Sequence, residues 1–414
     1  MSWRASTRRI VRRGLMGFLM LQVAAVASLM SVTKVRKMWR GHNVLPLPSA
    51  PAVRHAIGDG SSATTYTYGA VLYDDMLAAI DGAQERVLLE SFIIKNDAMG
   101  QRFKQALVDA SQRGVAVHVI YDGFANLVVS RQFFDFPAPI QMLRYPVWGA
   151  GWQFFNPRRW GRDHRKILVV DDTVGFVGGY NIGSQYATEW RDTHLRIDGP
   201  AVWDLDNAFI DFWNIRRRPG APELGPIRSA GWHPQIRAHR NVPRQLMYPI
   251  RGMYLEAIDR AQHAIDITAA YFIPDRDILD ALLLASKRGV RVRILVPKVS
   301  NHVVTDWLSR GFYGELLRGG VEIHRYTDHM VHAKTATIDG QWTTIGTANI
   351  DRLSLTGNYE INLEILDAGL ARGMDEIFAR DLLKAERLLL HEWESRPVIN
   401  RLYEAILRPL GPLL

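Results

Sequence analysis

The hydrophobic pattern changes character three times along the chain. Gly14 to Val32 is a run of 19 residues without a charge. At ~1.5 Å per residue, a helix of that length reaches roughly 28 Å, close to the hydrocarbon core of a bilayer. Beyond it, short β-branched runs alternate with stretches of helical period. Leu77–Gln84 reads as helix and Val87–Ile94 as strand; a second helix closes at Arg113-Gly114, and Val115–Tyr121 reads as the next strand. The same order returns in Tyr254–Gln262, Ile265–Ile273, a helix closing at Arg288-Gly289, and Val290–Val296. In the tail, 396–414, Ile399, Leu402, Tyr403, Ile406 and Leu407 fall at helical spacing. They predict an amphipathic helix suited to a membrane interface or to packing on the preceding domain.

The recurrence is literal as well as rhythmic. AIDGAQ at 79–84 returns as AIDRAQ at 257–262, and ASQRGVAVHV at 110–119 as ASKRGVRVRI at 285–294. This is the signature of a tandem duplication. Alternating helices and strands predict two α/β domains with largely parallel sheets, over 60–215 and 246–395. Residues 216–245, rich in Arg, Pro, Gly and His, read as a linker.

Charge sharpens the reading of the first forty residues. They hold nine of the chain's 51 basic residues and no acid, whereas residues 41–414 carry 42 basic and 42 acidic groups. Arg4, Arg8, Arg9, Arg12 and Arg13 precede the apolar run; Lys34, Arg36, Lys37 and Arg40 follow it. Residues 1–40 therefore predict a basic membrane anchor with its span at 14–32; a cleaved secretory signal and a buried core helix are the alternatives. The charge on the two sides does not set an orientation. The neutral remainder argues against a protein that grips long nucleic acid. With 47% hydrophobic residues the bulk can bury a core, and the absence of cysteine excludes disulfides, a thiol nucleophile and cysteine-ligated metals.

One motif carries chemistry. His164, Lys166 and Asp171 are followed by Gly178, Gly179 and Asn181; His332, Lys334 and Asp339 are followed by Gly346, Thr347 and Asn349, all at an offset of 168. Both motifs lie on β-forming runs, where residues two apart share a face, so each strand presents an imidazole beside an ammonium. Asp171 and Asp339 close these strands in turns. The Asn amides are candidate donors to an anionic oxygen. The same offset relates Glu360 to Asp192, so each copy also carries an acid able to fix an imidazole tautomer.

The paired HxKxxxxD motifs resemble the phospholipase D superfamily over residues 60–395. Within it the chain is most similar to bacterial cardiolipin synthases, through Phe155-Asn156-Pro157, Gly178-Gly179, Trp190-Arg191-Asp192-Thr193-His194, Asp198-Gly199-Pro200 and the terminal Pro409–Leu414 segment. The resemblance implies two α/β/α sandwich domains related by pseudo-two-fold symmetry behind an N-terminal membrane helix. It implies a catalytic set of His164, Lys166, Asp171, His332, Lys334 and Asp339. Family practice makes His164 the nucleophile and His332 the acid/base; the symmetry of the sequence does not decide between them. Asn181, Asn349, Asp192 and Glu360 would bind phosphate or orient the imidazoles. No metal or cofactor is implied. The expected substrate is an anionic phospholipid at a bacterial cell membrane, with no nucleic-acid partner. The expected reaction joins two phosphatidylglycerols into cardiolipin and glycerol. Lipid hydrolysis is the alternative, ahead of a nuclease or a non-catalytic scaffold.

Around this set, Asp351, Arg352 and Ser354 read as braces for the second motif. His194 is a candidate for the pocket wall, and Trp152, Phe154, Phe155 and Trp160 for an apolar lip. Arg216-Arg217-Arg218 reads as a solvated patch, and His324 and His329 as surface residues.

Overall fold

Leu88 and Val169 face each other across an antiparallel pair that forms the centre of the first of two large sheets. The computed structural model describes residues 16–17, 19–32, 46–58, 60–147, 161–226 and 233–413. The first sheet contains β1 (Val53–Ile57), β2 (Ser61–Tyr66), β3 (Arg86–Ser91), β4 (Ala116–Asp122), β5 (Gln141–Tyr145), β6 (Ile167–Val170) and β7 (Val174–Gly178). The short β8 (Trp190–Arg191) lies outside it, and β9 (His194–Asp198) completes it, in the order β1-β2-β9-β7-β6-β3-β4-β5.

The second sheet holds β10 (Ile236–Asn241), β11 (Ala264–Ala269), β12 (Arg291–Pro297) and β13 (Glu322–Tyr326). After the short β14 (Met330–Val331) come β15 (Lys334–Ile338), β16 (Trp342–Gly346), β17 (Glu360–Leu366) and β18 (Ala385–Leu388). Its order is β10-β17-β16-β15-β11-β12-β13-β18. From β2 and from β10 onward the two orders are the same, so the duplication read in the sequence is a duplication of topology.

Both sheets are mixed, which corrects the expectation of largely parallel sheets. Only β3–β4–β5 and β11–β12–β13 run parallel. The helix–strand alternation covers just that half of each lobe. In the other half β6–β7 and β15–β16 are hairpins, and strands distant in sequence, such as β3 with β6 and β11 with β15, return to pair antiparallel. The expected linker is also partly strand: β10 pairs along β17 at the edge of the second sheet.

Each sheet is sandwiched by helices. In the first lobe α1 (Gly69–Asp81) and α2 (Ala98–Gln112) cover one face and α3 (Trp203–Arg216) packs on the other. In the second, α4 (Pro249–Arg260), α5 (Arg276–Lys287) and α6 (Val303–Arg318) lie on one side and α7 (Ala368–Leu382) on the other. Local sequence accounts for α2 and α5. Asp97 and Asp275 cap them by accepting backbone N–H bonds, each cap contributing about 1 kcal/mol. Phe103, Ala106, Leu107 and Ala110 make the buried stripe of α2; Ile278, Leu279, Leu282 and Ala285 make that of α5. Gly114 and Gly289 follow at φ 93, the left-handed position that stops a helix.

The lobes are fused rather than tethered. One hydrophobic core combines Ile167, Val177 and Phe209 of the first lobe with Ile345, Ile361 and Met374 of the second. Arg191 adds a buried two-point ion pair across the seam, Nη2 donating to Asp381 Oδ2 at 2.6 Å and Nε to Oδ1 at 3.2 Å.

Residues 19–32 of the apolar run are helical, and among the described residues no helix is long and apolar enough to cross a membrane. Gly14, Leu15, Phe18 and the flanking basic residues lie outside the described set. Ala25 and Leu29 are buried against Ile273, Leu308 of α6 and Leu407 of α8 (Val398–Leu407). The apolar stripe expected in the tail is divided by this packing. Tyr403, Ile406 and Leu407 face the cluster, while Ile399 and Leu402 are exposed.

Candidate active site

The two His-Lys segments, each leading into its strand (β6 and β15), meet at the seam in equivalent settings. Asp163 forms a parallel bridge with Tyr359, and the next residue, His164, donates its backbone N–H to the Tyr359 carbonyl at 3.0 Å. Val331 pairs in parallel with Arg191, and the next residue, His332, donates to the Arg191 carbonyl at 2.7 Å. Each histidine is therefore pinned by the backbone of the opposite lobe. Both line one cavity of about 280 Å³, together with Phe92, Trp190, Asn181 and Asn349.

The carboxylates are exchanged in the same way. Glu360 of the second lobe faces His164 Nδ1 at 2.9 Å, and Asp192 of the first faces His332 Nδ1 at 2.6 Å. A carboxylate only accepts, so Nδ1 carries the proton in both rings and the lone pair lies at Nε2. Aromatic edges hold the ring planes: Phe92 lies 4.7 Å from His164, and Trp190 lies 5.0 Å from His332, centroid to centroid.

The lysines stand buried beside the histidines. Lys166 Nζ donates to the His164 carbonyl at 2.6 Å, and Lys334 Nζ donates to the His332 carbonyl. Lys334 Nζ also lies 2.9 Å from His332 Nδ1, whose proton is committed to Asp192. Burial lowers Lys166 to about 7, with Lys334 adding to the effect and Glu360 opposing it. Burial lowers Lys334 to about 8 against the pull of Asp192 and Glu360. Burial and then Lys334 push His332 down to about 3, and burial outweighs Glu360 to lower His164 as well. Burial alone would raise Asp192, but Lys334 and His332 hold it below the usual carboxylate range. Two neutral imidazoles thus stand beside two ammonium groups that an incoming anion would stabilise.

Asp171 and Asp339 are not part of this cavity, which corrects their inclusion in the catalytic set. Asp171 accepts from the backbone of Gln84, Glu85 and Arg86 at 2.8–2.9 Å. Asp339 accepts from Gln262, His263 and Ala264 at 2.8 Å. Five residues of extended chain, roughly 16 Å, separate each from its lysine. They tie the end of β6 to the start of β3, and the end of β15 to the start of β11.

Asn181 uses its Oδ1 to accept from Ile93 N at 3.2 Å, which directs its amide nitrogen elsewhere. Asn349 Oδ1 is buried without a partner at the cavity. Asp351 caps a short helix by accepting from Ser354 N at 2.7 Å; both line the cavity, as braces rather than reacting groups. Burial raises Asp351 to about 7.

His194 does not line the cavity. It is buried beside Tyr180, and both its ring nitrogens lack partners among the described residues. Trp152, Phe154, Phe155 and Trp160 lie outside the described residues. Arg216 is not a solvated residue: its guanidinium lies over the rings of Tyr145, Phe212 and Tyr359. His324 pairs with Glu322 on β13.

Thr347 is a site residue that sequence reasoning passed over. Its hydroxyl donates to Glu360 Oε2 at 2.5 Å, the same oxygen that faces His164. The offset of 168 puts Gly179 at the equivalent place, where a Cβ would stand 2.0 Å from Asp192 Oδ1. The first lobe clears space for its carboxylate, and the second grips a longer one. Phe92, one residue past β3, was legible only as strand.

A duplicated α/β lobe that turns two His-Lys segments onto one cavity defines the phospholipase D superfamily. Within it, this chain belongs to the cardiolipin synthase, PLD-like domain family, whose model matches residues 76–213 and 254–382. The major cardiolipin synthase ClsA of Bacillus subtilis (strain 168) is 30% identical over 387 residues, covering 87% of this chain and 77% of that protein. A cardiolipin synthase of Geobacillus sp. (strain WCH70) is 32% identical over 361 residues, covering 84% and 71%. The crystal structure of phosphatidylserine synthase from Haemophilus influenzae Rd KW20 shares the fold, with a TM-score of 0.67, 15% identity, and coverage of 92% of this chain and 98% of that one.

Proposed function

We propose that this protein is a cardiolipin synthase that transfers a phosphatidyl group from one phosphatidylglycerol to another. The observation that carries the reading is the pair of imidazoles on one cavity, each with Nδ1–H held by a carboxylate of the opposite lobe. His164 Nε2 attacks the phosphorus of the first phosphatidylglycerol. The bond to the headgroup glycerol oxygen breaks, and His332, neutral in the empty site and protonated once the anionic phosphodiester is bound, gives that oxygen a proton, releasing glycerol. His332, now neutral, takes the proton of a headgroup hydroxyl on the second phosphatidylglycerol. That oxygen displaces His164 from phosphorus, forming cardiolipin and restoring the enzyme. Lys166, Lys334 and the Asn181 and Asn349 amides stabilise the charge on the non-bridging oxygens. The assignment of His164 as nucleophile and His332 as acid/base rests on the family resemblance of the first motif.

A membrane-borne substrate also suits the apolar surface of the N-terminal region. Leu19, Met20, Val23 and Met30 are exposed on the helix at 19–32, next to exposed Ile399 and Leu402 of α8. We assign this apolar face to the bilayer, with the run 14–32 as a single span of a bacterial cell membrane.

The test supplies headgroup-labelled phosphatidylglycerol in vesicles to the purified full chain. Cardiolipin with one equivalent of glycerol supports the reading. Phosphatidic acid without cardiolipin makes the protein a hydrolase with the same machinery.

A further inference from the structure

A second cavity, of about 710 Å³, lies on the other side of the segment that carries His164. It shares no lining residue with the catalytic cavity: His164 and Asn358 face one, Arg165 and Tyr359 the other. Its volume is in the range that encloses a small molecule. Its walls are of two kinds. Phe212, Ile215, Val242 and Met247 make an apolar side, and Ile215 and Met247 are about half exposed at its mouth. Arg216, Arg240 and Arg244 make a basic side.

Among these cations Arg216 stands apart from all but the exposed Arg244. Arg240 is neutralised by Asp211 at 2.7 Å, and His239 and Arg165, also on the walls, face Glu364 at 2.8 Å and Glu90 at 2.6 Å. Arg216 pairs with no carboxylate among the described residues. It donates through Nη2 to the Tyr359 hydroxyl at 2.6 Å, and its Nε is buried without a partner among the described residues. A half-buried cation between three rings, with a donor unused, is an anion site waiting for charge. Beside the mouth, Leu246 is held at φ 57, a left-handed conformation costly for a leucine, in the loop closed by the Val242–Met247 bridge.

We infer that this second cavity binds an anionic lipid as an effector rather than a substrate, with the phosphate at Arg216 and Arg244 and acyl carbons along Phe212, Val242 and Met247. The occupant would touch Tyr359. The Tyr359 carbonyl holds the backbone of His164, and the adjoining Glu360 holds its ring, so occupancy is read at the catalytic imidazole. A binding measurement tests this independently of turnover, so its failure leaves the proposed transferase reaction standing.

The probe is dodecyl phosphate carrying a terminal diazirine, with inorganic phosphate and dodecyl maltoside in parallel, against the full chain in zwitterionic nanodiscs. Arg216→Gln and Met247→Trp, the second filling the apolar side, are compared with Lys166→Ala/Lys334→Ala, which disarms the catalytic cavity; thermal melts establish that each is folded. The expected result is at least tenfold weaker binding in each of the first two, less than twofold change in the third, and photo-crosslinks within residues 212–247. Unchanged binding in both cavity variants overturns the inference. So does loss confined to the lysine variant, because the probe then sits in the catalytic cavity. Inorganic phosphate binding as tightly as dodecyl phosphate overturns the lipid assignment, and equal binding of the maltoside overturns the anion assignment.

Discussion

Asp192 belongs to the first lobe and His332 to the second, yet the carboxylate oxygen and the imidazole Nδ1 stand 2.6 Å apart and buried. Glu360 and His164 repeat the exchange in the opposite direction at 2.9 Å. Neither catalytic histidine therefore takes its carboxylate from its own lobe.

Replacing these carboxylates is expected to act on rate rather than binding. Asp192→Asn and Glu360→Gln keep the side-chain shape but permit the wrong tautomer. Each should lower kcat by about 10²–10⁴-fold, the ordinary range for a disturbed general acid or base, with KM changed less than threefold. Steady-state kinetics on vesicle phosphatidylglycerol provide the check; a rise in KM at unchanged kcat would contradict the orienting role.

The two histidines are separable with an activated substrate. His164→Ala and His332→Ala should each abolish turnover of phosphatidylglycerol while leaving the melting temperature near wild type. A phosphatidyl ester of p-nitrophenol needs no proton on its leaving group. His332→Ala should then release one burst equivalent of p-nitrophenol and label His164, whereas His164→Ala should release none. The opposite pattern reverses the assignment.

The pH profile should report the lysines. Binding an anionic phosphodiester requires the ammonium forms, and burial lowers Lys166 to about 7 and Lys334 to about 8. The kcat/KM of the wild type should fall on the alkaline side with midpoints between about 7 and 8, and the limb in kcat should lie higher because bound phosphate favours the ammonium. For folding the sign is the reverse. Between about 7 and the ordinary lysine value the unfolded chain binds more protons, so stability rises with pH through that window, as denaturant midpoints can measure.

Asp339→Asn should separate scaffold from chemistry. It weakens three backbone N–H bonds to a carboxylate. The expected cost is about 1.5–3 kcal/mol of stability, within the range for bonds to a charged group, with kcat within twofold of wild type at a temperature where the variant is folded. A loss of kcat at unchanged stability would return Asp339 to the catalytic set.

Much of the molecule was legible in the chain. The duplication, the paired His-Lys segments and the acidic equivalents Asp192 and Glu360 are linear patterns, and spacing reports them faithfully because a strand repeats every two residues. Half of each sheet was misread as parallel because helix–strand alternation ends after β5 and β13. Thr347 was hidden because its role depends on a carboxylate thirteen residues away, across the β16–β17 pair. The turn aspartates looked catalytic because they recur at fixed spacing, and fixed spacing serves a turn as well as a reaction.

What the sequence determined by itself is which side chains lie beside one another in the extended segment leading into a strand: His164 with Lys166 ahead of β6, and His332 with Lys334 at the start of β15. What only the tertiary structure decided is that each imidazole takes its carboxylate, and its backbone anchor, from the other lobe. A strand's period sets the face on which a side chain emerges. What that face meets depends on how two sheets settle against a shared core, a sum of many weak, non-directional contacts that leaves no mark in the local pattern.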